Sequence, residues 1–288
     1  MRNDSSPDSG RKKLSSRAQM LDSQRFPILQ GMAPVLIEIL NNSSNLMHVS
    51  EGVELLHEGD TAHDLYFIEN GAVAIAKHVQ DGNKLVRELG DGDVFGEFGT
   101  LRGKVRFASV YTTELSRIIR VKLAALQQVL EIDTGFHDRL TRLMNQRMLS
   151  SFISSHKAFE GLSKDALAGL ADTLSLRFVA EDEPIFRQGE SLDAAYMIVS
   201  GEAEVRLDGD VEMLLEVRRD NDVLGGAEYS ESHASYSAYA SSDADLLVLD
   251  RAALDLVGGH SPEVAAHLES FIAQRAAKTL KRIAKQRA

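Results

Sequence analysis

Residues 92–110 read GDVFGEFGTLRGKVRFASV, and the rest of the chain supports, repeats or loses this pattern. A Gly-Asp-Gly-Asp turn from Gly90 to Asp93 leads into Val94 and Phe95. Gly96-Glu97-Phe98-Gly99 follows, then a short charged loop, Arg106, and the run Phe107-Ala108-Ser109-Val110. Gly96 and Gly99 let backbone come close to a bound group, and a helical turn starting near Gly96 would aim N–H groups at an anion. Glu97 is an acceptor-only carboxylate, suited to a sugar hydroxyl. Arg106, nine positions later, is a permanent cation whose planar fork fits phosphate oxygens. Alone, Glu97 and Arg106 would read as a surface ion pair. With their flanking glycines and aromatics they describe a cradle for a ribose and a phosphate.

The stretch resembles the phosphate-binding cassette of cyclic-nucleotide-binding domains. In that family Phe-Gly-Glu opens the cassette, and Arg followed by small residues and Ser or Thr closes it. Phe95-Gly96-Glu97 and Arg106-Phe107-Ala108-Ser109 match at the family spacing without a gap. The match is similar in particular to the cassette of protein kinase A regulatory subunits, and Gly99 to the catabolite activator version. Phe107 and Val105 depart from the usual small residue and proline. The resemblance implies a site made by Phe95, Gly96, Glu97, Phe98, Gly99, Arg106, Phe107, Ala108 and Ser109. Its implied ligand is cyclic AMP or cyclic GMP, with cyclic di-GMP left open; no catalytic residue, metal or cofactor is expected.

Composition narrows the alternatives. The 288 residues are 43% hydrophobic, enough for two domains with their own cores. A net charge of −11 argues against a general nucleic-acid binder, which needs clustered cations. The chain has no cysteine, which removes disulfides and thiolate chemistry and is consistent with a cytoplasmic protein. No apolar run approaches the roughly 20 residues of a membrane helix, and MRNDSSPDSGRKK has no signal-peptide core.

In chain order, residues 1–24 are polar and are expected to be a disordered tail. Within them Arg11-Lys12-Lys13-Leu14-Ser15-Ser16 bears a resemblance to a basophilic kinase site or the inhibitor segment of a kinase regulatory subunit. From Phe26 a helical period runs through Ile28, Met32, Val35, Leu36, Ile39 and Leu40. Short alternating strands follow, divided by Glu58-Gly59-Asp60, Asn70-Gly71 and Asp81-Gly82-Asn83. The Asn70-Gly71 pair between Leu65–Ile68 and Val73–Ile75 predicts a hairpin. Strands at this density, joined by Gly-rich turns, predict a jelly-roll barrel. Leu123 to His156 then reads as helices, with Leu140, Leu143, Met144, Met148 and Phe152 forming an apolar stripe. The resemblance implies that these helices close over the ligand.

The pattern then restarts. Gly161-Leu162 answers Gly31-Met32, Gln188-Gly189-Glu190 answers Glu58-Gly59-Asp60, Tyr196 answers Tyr66, and Gly201 answers Gly71, all 130 positions apart. A repeat of this length means two copies of one domain. Asp222 to Gly225 matches Asp93 to Gly96, but Gly226 stands for Glu97, and at that spacing Ser235 stands for Arg106. Glu228 and His233 are no replacement for a cation. The second copy is therefore expected not to hold a cyclic nucleotide in the usual way: it is a degenerate copy kept for packing or contacts, or it takes a different ligand.

The expected fold is mainly β with flanking helices: two tandem jelly-roll barrels of the cyclic-nucleotide-binding type. The expected division is 1–24 tail, 25–155 intact domain, 156–261 degenerate domain, and 262–288 basic C-terminal helix. In that last helix Ser261 and Pro262 suit the start, Val264, Leu268, Phe271 and Ile272 line one side, and the closing turns are cationic. No helix-turn-helix follows the second copy, so DNA is not an expected partner. The expected function is a non-enzymatic sensor that meets a cyclic nucleotide and a protein effector and signals through the helices after its barrels; a homodimer is left open. The alternative is a metal-dependent bicupin-type enzyme, suggested by His57, His63 and Asp64, although the later histidine of that pattern is missing near Gly92 to Gly96.

Overall fold

A computed structural model describes residues 20–61, 64–79, 82–102, 106–209, 212–226 and 233–287. The basic-serine string Arg11 to Ser16 lies outside these residues, as do His63 and Glu228. The chain divides into two units, Met1–Arg142 and Leu143–Ala288. No helix among the described residues is long and apolar enough to cross a membrane.

The first unit opens with a 3-10 turn, Pro27–Leu29, and helix α1, Pro34–Asn42. Strands β1 (Ser44–Val49), β2 (Glu54–Leu56), β3 (Leu65–Asn70), β4 (Val73–Val79), β5 (Gly82–Leu89) and β6 (Val94–Phe95) follow. A short helix α2 (Glu97–Arg102) precedes β7 (Ser109–Thr112), β8 (Ser116–Val121) and α3 (Leu123–Ile132), and the division between the units falls within helix α4 (Thr134–Ser155). The strands form two antiparallel four-stranded sheets, ordered β1-β8-β3-β6 and β2-β7-β4-β5. Their core includes Tyr66, Ile68, Val73, Phe95, Val110 and Ile118.

The first unit differs from expectation in three places. The helix expected from Phe26 starts at Pro34, because Phe26 to Met32 winds through the 3-10 turn instead; Phe26 and Leu29 are buried all the same. Met20 and Leu21, expected to belong to the tail, are instead held by α1: Leu21 is buried, and Asn41 Oδ1 accepts the Met20 and Leu21 backbone N–H groups at 3.0 and 2.8 Å. Third, Asn70-Gly71 does not close a hairpin. β3 pairs with β8 and β6, whereas β4 pairs with β5 and β7, so the chain turns a corner from one sheet to the other. Leu65 through Ile68 are buried in succession, the pattern of an inner strand covered on both faces. Gly71, at φ +105°, has no room for a side chain: a Cβ would meet Ser116 atoms at 2.4–2.8 Å.

The second unit repeats the plan after α4. A 3-10 turn (Lys157–Phe159) and α5 (Lys164–Thr173) lead to β9 (Leu176–Val179), β10 (Pro184–Phe186), β11 (Ala194–Ser200) and β12 (Ala203–Leu207). Then come β13 (Met213–Arg218), β14 (Val223–Gly225), β15 (Ser237–Ala240) and β16 (Ala244–Asp250), with α6 (Arg251–His260) and α7 (Pro262–Arg287). Its sheets are ordered β14-β11-β16-β9 and β10-β15-β12-β13, strand for strand the order of the first unit.

Helix α7 starts as its sequence suggests, with the Ser261 hydroxyl accepting the Val264 N–H at 3.3 Å and Pro262 in the first turn. Val264, Leu268 and Ile272 are buried, and Ile283 enters the core of the second unit. A buried cation fixes the helix to its sheet. Arg218 on β13 pairs with Glu216 at 2.6 Å and donates to the Val223 carbonyl and to the Thr279 hydroxyl of α7. Arg282 adds a second pair with Glu216, so part of the C-terminal charge is spent inside the unit.

His156, after α4, sits buried among Phe152, Phe159 and Phe271. Its Nδ1 accepts the Ala158 N–H at 3.1 Å, and Nε2 faces the Asn221 carbonyl at 3.2 Å, an arrangement that suits the neutral ring. Burial lowers its pKa, opposed by the Asn221 carbonyl and helped by nearby Arg275. The unfolded chain therefore binds this proton more readily than the folded one. Stability from this group is complete above the unfolded pKa of about 6.5 and falls as pH drops below it, by at most about 1.4 kcal/mol per pH unit. Urea unfolding between pH 7.5 and 5.5 should show a slope that His156→Gln reduces; an unchanged slope in that variant would refute the assignment.

Candidate functional site

The local chemistry of β6 and α2 brings the cassette together. Gly96 adopts φ +91°, which turns the chain out of β6 and into α2. A Cβ there would lie 2.9 Å from both Arg106 Nη1 and the Asp64 carbonyl oxygen, so this glycine also makes room for the arginine. Glu97 opens α2 and is buried. Arg106 is only 2% exposed. It donates from Nη1 to the Gly96 carbonyl and from Nη2 to the Asp64 carbonyl, both at 2.9 Å, while its Nε–H is buried with no partner among the described residues. Backbone bonds hold its position: Arg106 N–H donates to the Asp60 carbonyl at 2.7 Å, and the Gly59 N–H donates to the Arg106 carbonyl at 2.9 Å. Burial pulls the guanidinium pKa down from its usual value, while the nearby charges of Asp64 and Glu97 act the other way. The group stays a cation, because nothing in a protein of this kind deprotonates arginine near neutrality.

The sequence-predicted residues take different places around this cation. Phe95 is a core residue, stacked on Tyr66 at 5.0 Å, and supports the site from beneath. Phe98 and Phe107 are half-buried and meet each other at 4.8 Å. Gly99 and Ala108 are buried. The Ser109 hydroxyl accepts the Glu58 N–H at 3.0 Å and hydrogen-bonds Glu54, tying β7 to the β2 turn.

Two site residues escaped the sequence reading. They are Asp64, which by sequence alone suggests only a metal ligand, and Arg120, which no motif marks. In the structure the Asp64 carboxylate takes Arg120 at 2.5 Å and accepts the Leu123 N–H at 2.9 Å, capping α3, whose own N-cap Lys122 supplies no side-chain bond. A single residue thus meets the buried cation through its carbonyl and the next helix through its side chain. Asp64→Ala should cost about 1–2 kcal/mol of stability, the usual loss for a helix cap. Denaturant unfolding checks this, and a loss below about 0.3 kcal/mol would show that α3 does not depend on the cap. Among the described residues no group of three or more His, Cys, Asp and Glu could hold a metal ion; His57 pairs with Glu54 at 2.8 Å.

A cyclic nucleotide-binding domain model matches residues 46–133 and again 176–257, more than half of the chain. The chain belongs to the cyclic nucleotide-binding domain family. Among curated relatives it is 29% identical over 159 residues to a cAMP-dependent protein kinase regulatory subunit of Yarrowia lipolytica, covering 55% of this chain and 39% of that one. It is 30% identical over 158 residues to cGMP-dependent protein kinase isozyme 1 of Drosophila melanogaster, covering 54% and 19%. An acetyltransferase, Pat, of Mycolicibacterium smegmatis is 31% identical over 133 residues, covering 46% and 39%. The chain spans less than half the length of each of these relatives. A solved regulatory domain of Toxoplasma gondii PKA with cAMP aligns over 87% of this chain and 92% of that chain, at 18% identity and a TM-score of 0.40.

The second cyclic nucleotide-binding domain departs from the first at every charged position of the site. Backbone bonds give the true equivalences. Ala234 N–H donates to the Glu190 carbonyl and Gly189 N–H to the Ala234 carbonyl, both at 2.8 Å, as Arg106 does with Asp60 and Gly59. Ser237 accepts the Gln188 N–H at 2.8 Å, as Ser109 does from Glu58. Ala234 therefore stands in place of Arg106, correcting the expectation of Ser235; the second cassette is one residue shorter. Arg120 pairs across from Tyr66, and Val248 from Tyr196, so Val248 replaces Arg120. With Ala194 for Asp64 and Gly226 for Glu97, all four charges are gone. Tyr236 takes the place of Ala108. It is 1% exposed, belongs to the domain core, lies 5.3 Å from Phe186, and its hydroxyl accepts the Gly225 N–H at 2.7 Å. An apolar ring and its own hydroxyl now occupy the neighbourhood that the first domain keeps for a cation.

Proposed function

We propose that the first domain binds a 3′,5′-cyclic mononucleotide, cyclic AMP or cyclic GMP, and that the chain is a regulatory sensor rather than a catalyst. The observation that carries this reading is Arg106: a buried cation whose guanidinium donates to two backbone carbonyls and keeps its Nε–H unpartnered among the described residues, beside the buried carboxylate Glu97. A cyclic phosphate supplies the negative charge that such a cation favours, and Glu97 can accept from the ribose hydroxyl. Phe95 to Gly99 and Arg106 to Ser109 form the rest of the site. Membership of the family and likeness to cyclic-nucleotide-dependent kinase chains support the ligand class and a protein effector.

In this reading residues 25–155 are the sensing domain, 156–261 a domain that has lost its site, and 262–288 a helix fixed to it. Transmission runs through Asp64. A phosphate at Arg106 competes with the Gly96 and Asp64 carbonyls, and the Asp64 carboxylate caps α3. Binding can shift only those states it contacts differently, and Asp64 provides that difference. Calorimetry on the full chain with cyclic AMP, cyclic GMP and cyclic di-GMP tests the ligand; heat from none of them would refute the reading. Hydrogen exchange should show altered protection in α3 and α4 on binding. Changes confined to the β-strands would mean a passive binder.

A further inference from the structure

The second domain buries a cation of its own. Arg218 on β13 is 5% exposed, and all three of its guanidinium nitrogens are partnered. Nε and Nη2 donate to Glu216 Oε1 at 3.1 and 2.6 Å, and Nη1 donates to the Val223 carbonyl of β14. Nη2 also reaches the hydroxyl of Thr279, a residue of α7 that is 1% exposed. Arg282, one turn further along α7, closes on the other oxygen of Glu216. One carboxylate, two arginines and a threonine thus join β13 and β14 to the last turns of α7. The helix packs against β14, the strand that opens the second cassette.

Strand register shows that the first domain has no such group. Arg218 lies across from Ala203 as Leu89 does from Val73, and Glu216 lies across from Val205 as Arg87 does from Ile75. Both strand pairs shift register at the next step, so the correspondence holds residue for residue. Leu89 is a core residue of the first domain, 5% exposed, and its place is taken by a cation in the second. Arg87 gives way to a residue of opposite charge. The two buried cations are therefore in opposite states. Arg106 keeps an N–H unpartnered among the described residues, whereas Arg218 already has its anion within the chain. Charge-assisted bonds are the stronger and more directional class, and lifting the end of α7 would break those made by Thr279 and Arg282.

We propose that Arg218 and Glu216 form a built-in clamp that holds the last turns of α7 on the second domain whether or not a nucleotide is bound, so that a signal from the first domain leaves through α3 and α4 and does not move α7. The clause about the signal rests on the reading of the first domain as the sensor; the clamp does not. The test is hydrogen exchange on the full chain. Removing one member of the pair would strand the other as a buried charge, so both are changed together, in Arg218→Leu/Glu216→Gln. Without nucleotide this variant should raise exchange across residues 276–287 about ten-fold. Residues 262–272, held by Val264, Leu268 and Ile272, should be unchanged. Thr279→Val leaves the pair on the sheet and removes only the helix's hydroxyl; it should raise exchange across 276–287 about three-fold. An unchanged rate in the folded double variant, or in Thr279→Val if the double variant does not fold, would overturn the clamp. In wild type, saturating cyclic AMP or cyclic GMP should alter α3 and leave 276–287 within about two-fold of its nucleotide-free rate; a larger change there would overturn the proposal. Binding of neither nucleotide would overturn the reading of the first domain alone, because the variants test the clamp in nucleotide-free protein.

Discussion

Arg106→Ala is expected to weaken cyclic-nucleotide binding by about 2–5 kcal/mol, which is roughly 30-fold to several thousand-fold, measured by calorimetry on the full chain. The size follows from burial. At 2% exposure the guanidinium lies away from water, so a phosphate beside it is also desolvated and loses its compensation when the cation goes. The variant also removes the guanidinium bonds to the Gly96 and Asp64 carbonyls, of which Gly96 still accepts from Thr100, and this should lower the stability of the first unit. Binding and unfolding must therefore be followed together. Arg106→Lys separates the two contributions, since it keeps a charge but cannot reproduce the fork between two carbonyls and a phosphate. Its affinity should fall between those of wild type and Arg106→Ala. Wild-type affinity in a folded Arg106→Ala protein would mean that Arg106 only ties the cassette to the β2–β3 loop and that the ligand lies elsewhere.

The second large effect is in the other domain. Tyr236→Ala should destabilise the second unit by about 3–5 kcal/mol, the cost of removing a large aromatic side chain from a core. Tyr236→Phe should cost about 1–3 kcal/mol, because the buried Gly225 N–H then loses the hydroxyl that accepts it. Chemical denaturation of the full chain reads both. Neither variant should create a second site: with Ala234, Gly226, Ala194 and Val248 in the charged positions, a phosphate would enter with no cation to offset its desolvation. The stoichiometry should remain one nucleotide per chain in wild type and in both variants. A second equivalent bound by wild type would contradict the reading of the second cassette. A second equivalent bound only by Tyr236→Ala would show that the tyrosine alone closes that site.

The two halves of the site differed in how far sequence could reach them. Gly96, Glu97 and Arg106 lie within one short stretch, and each has a chemistry that follows from its residue type: freedom at positive φ, an acceptor, a fixed cation. The repeat was equally legible, because turn glycines such as Gly71 and Gly201 recur where the fold needs positive φ, here +105° and +99°. Asp64 and Arg120 were out of reach because their partners lie far along the chain, at Leu123 and Arg106 for the one and Asp64 for the other. A signal existed: both charges vanish in the second copy, at Ala194 and Val248, together with Arg106 and Glu97. It could be read only with the strand register in hand.

By itself the sequence determined two copies of a strand-rich domain, an intact cassette in the first and a broken one in the second. It could do so because period, turn residues and motif spacing are local properties of the chain. Only the tertiary structure decided which strands pair, and so turned Asn70-Gly71 from a hairpin into a corner between sheets. It also decided that Ala234, one residue short of the expected place, faces the turn where Arg106 sits in the first copy. Register depends on which backbone N–H meets which carbonyl across the sheet, and a one-residue shortening in the preceding loop is silent until those bonds are formed. The same bonds bring Tyr236 to Gly225 and Lys77 to Phe107, contacts set by strand pairing rather than by any spacing along the chain.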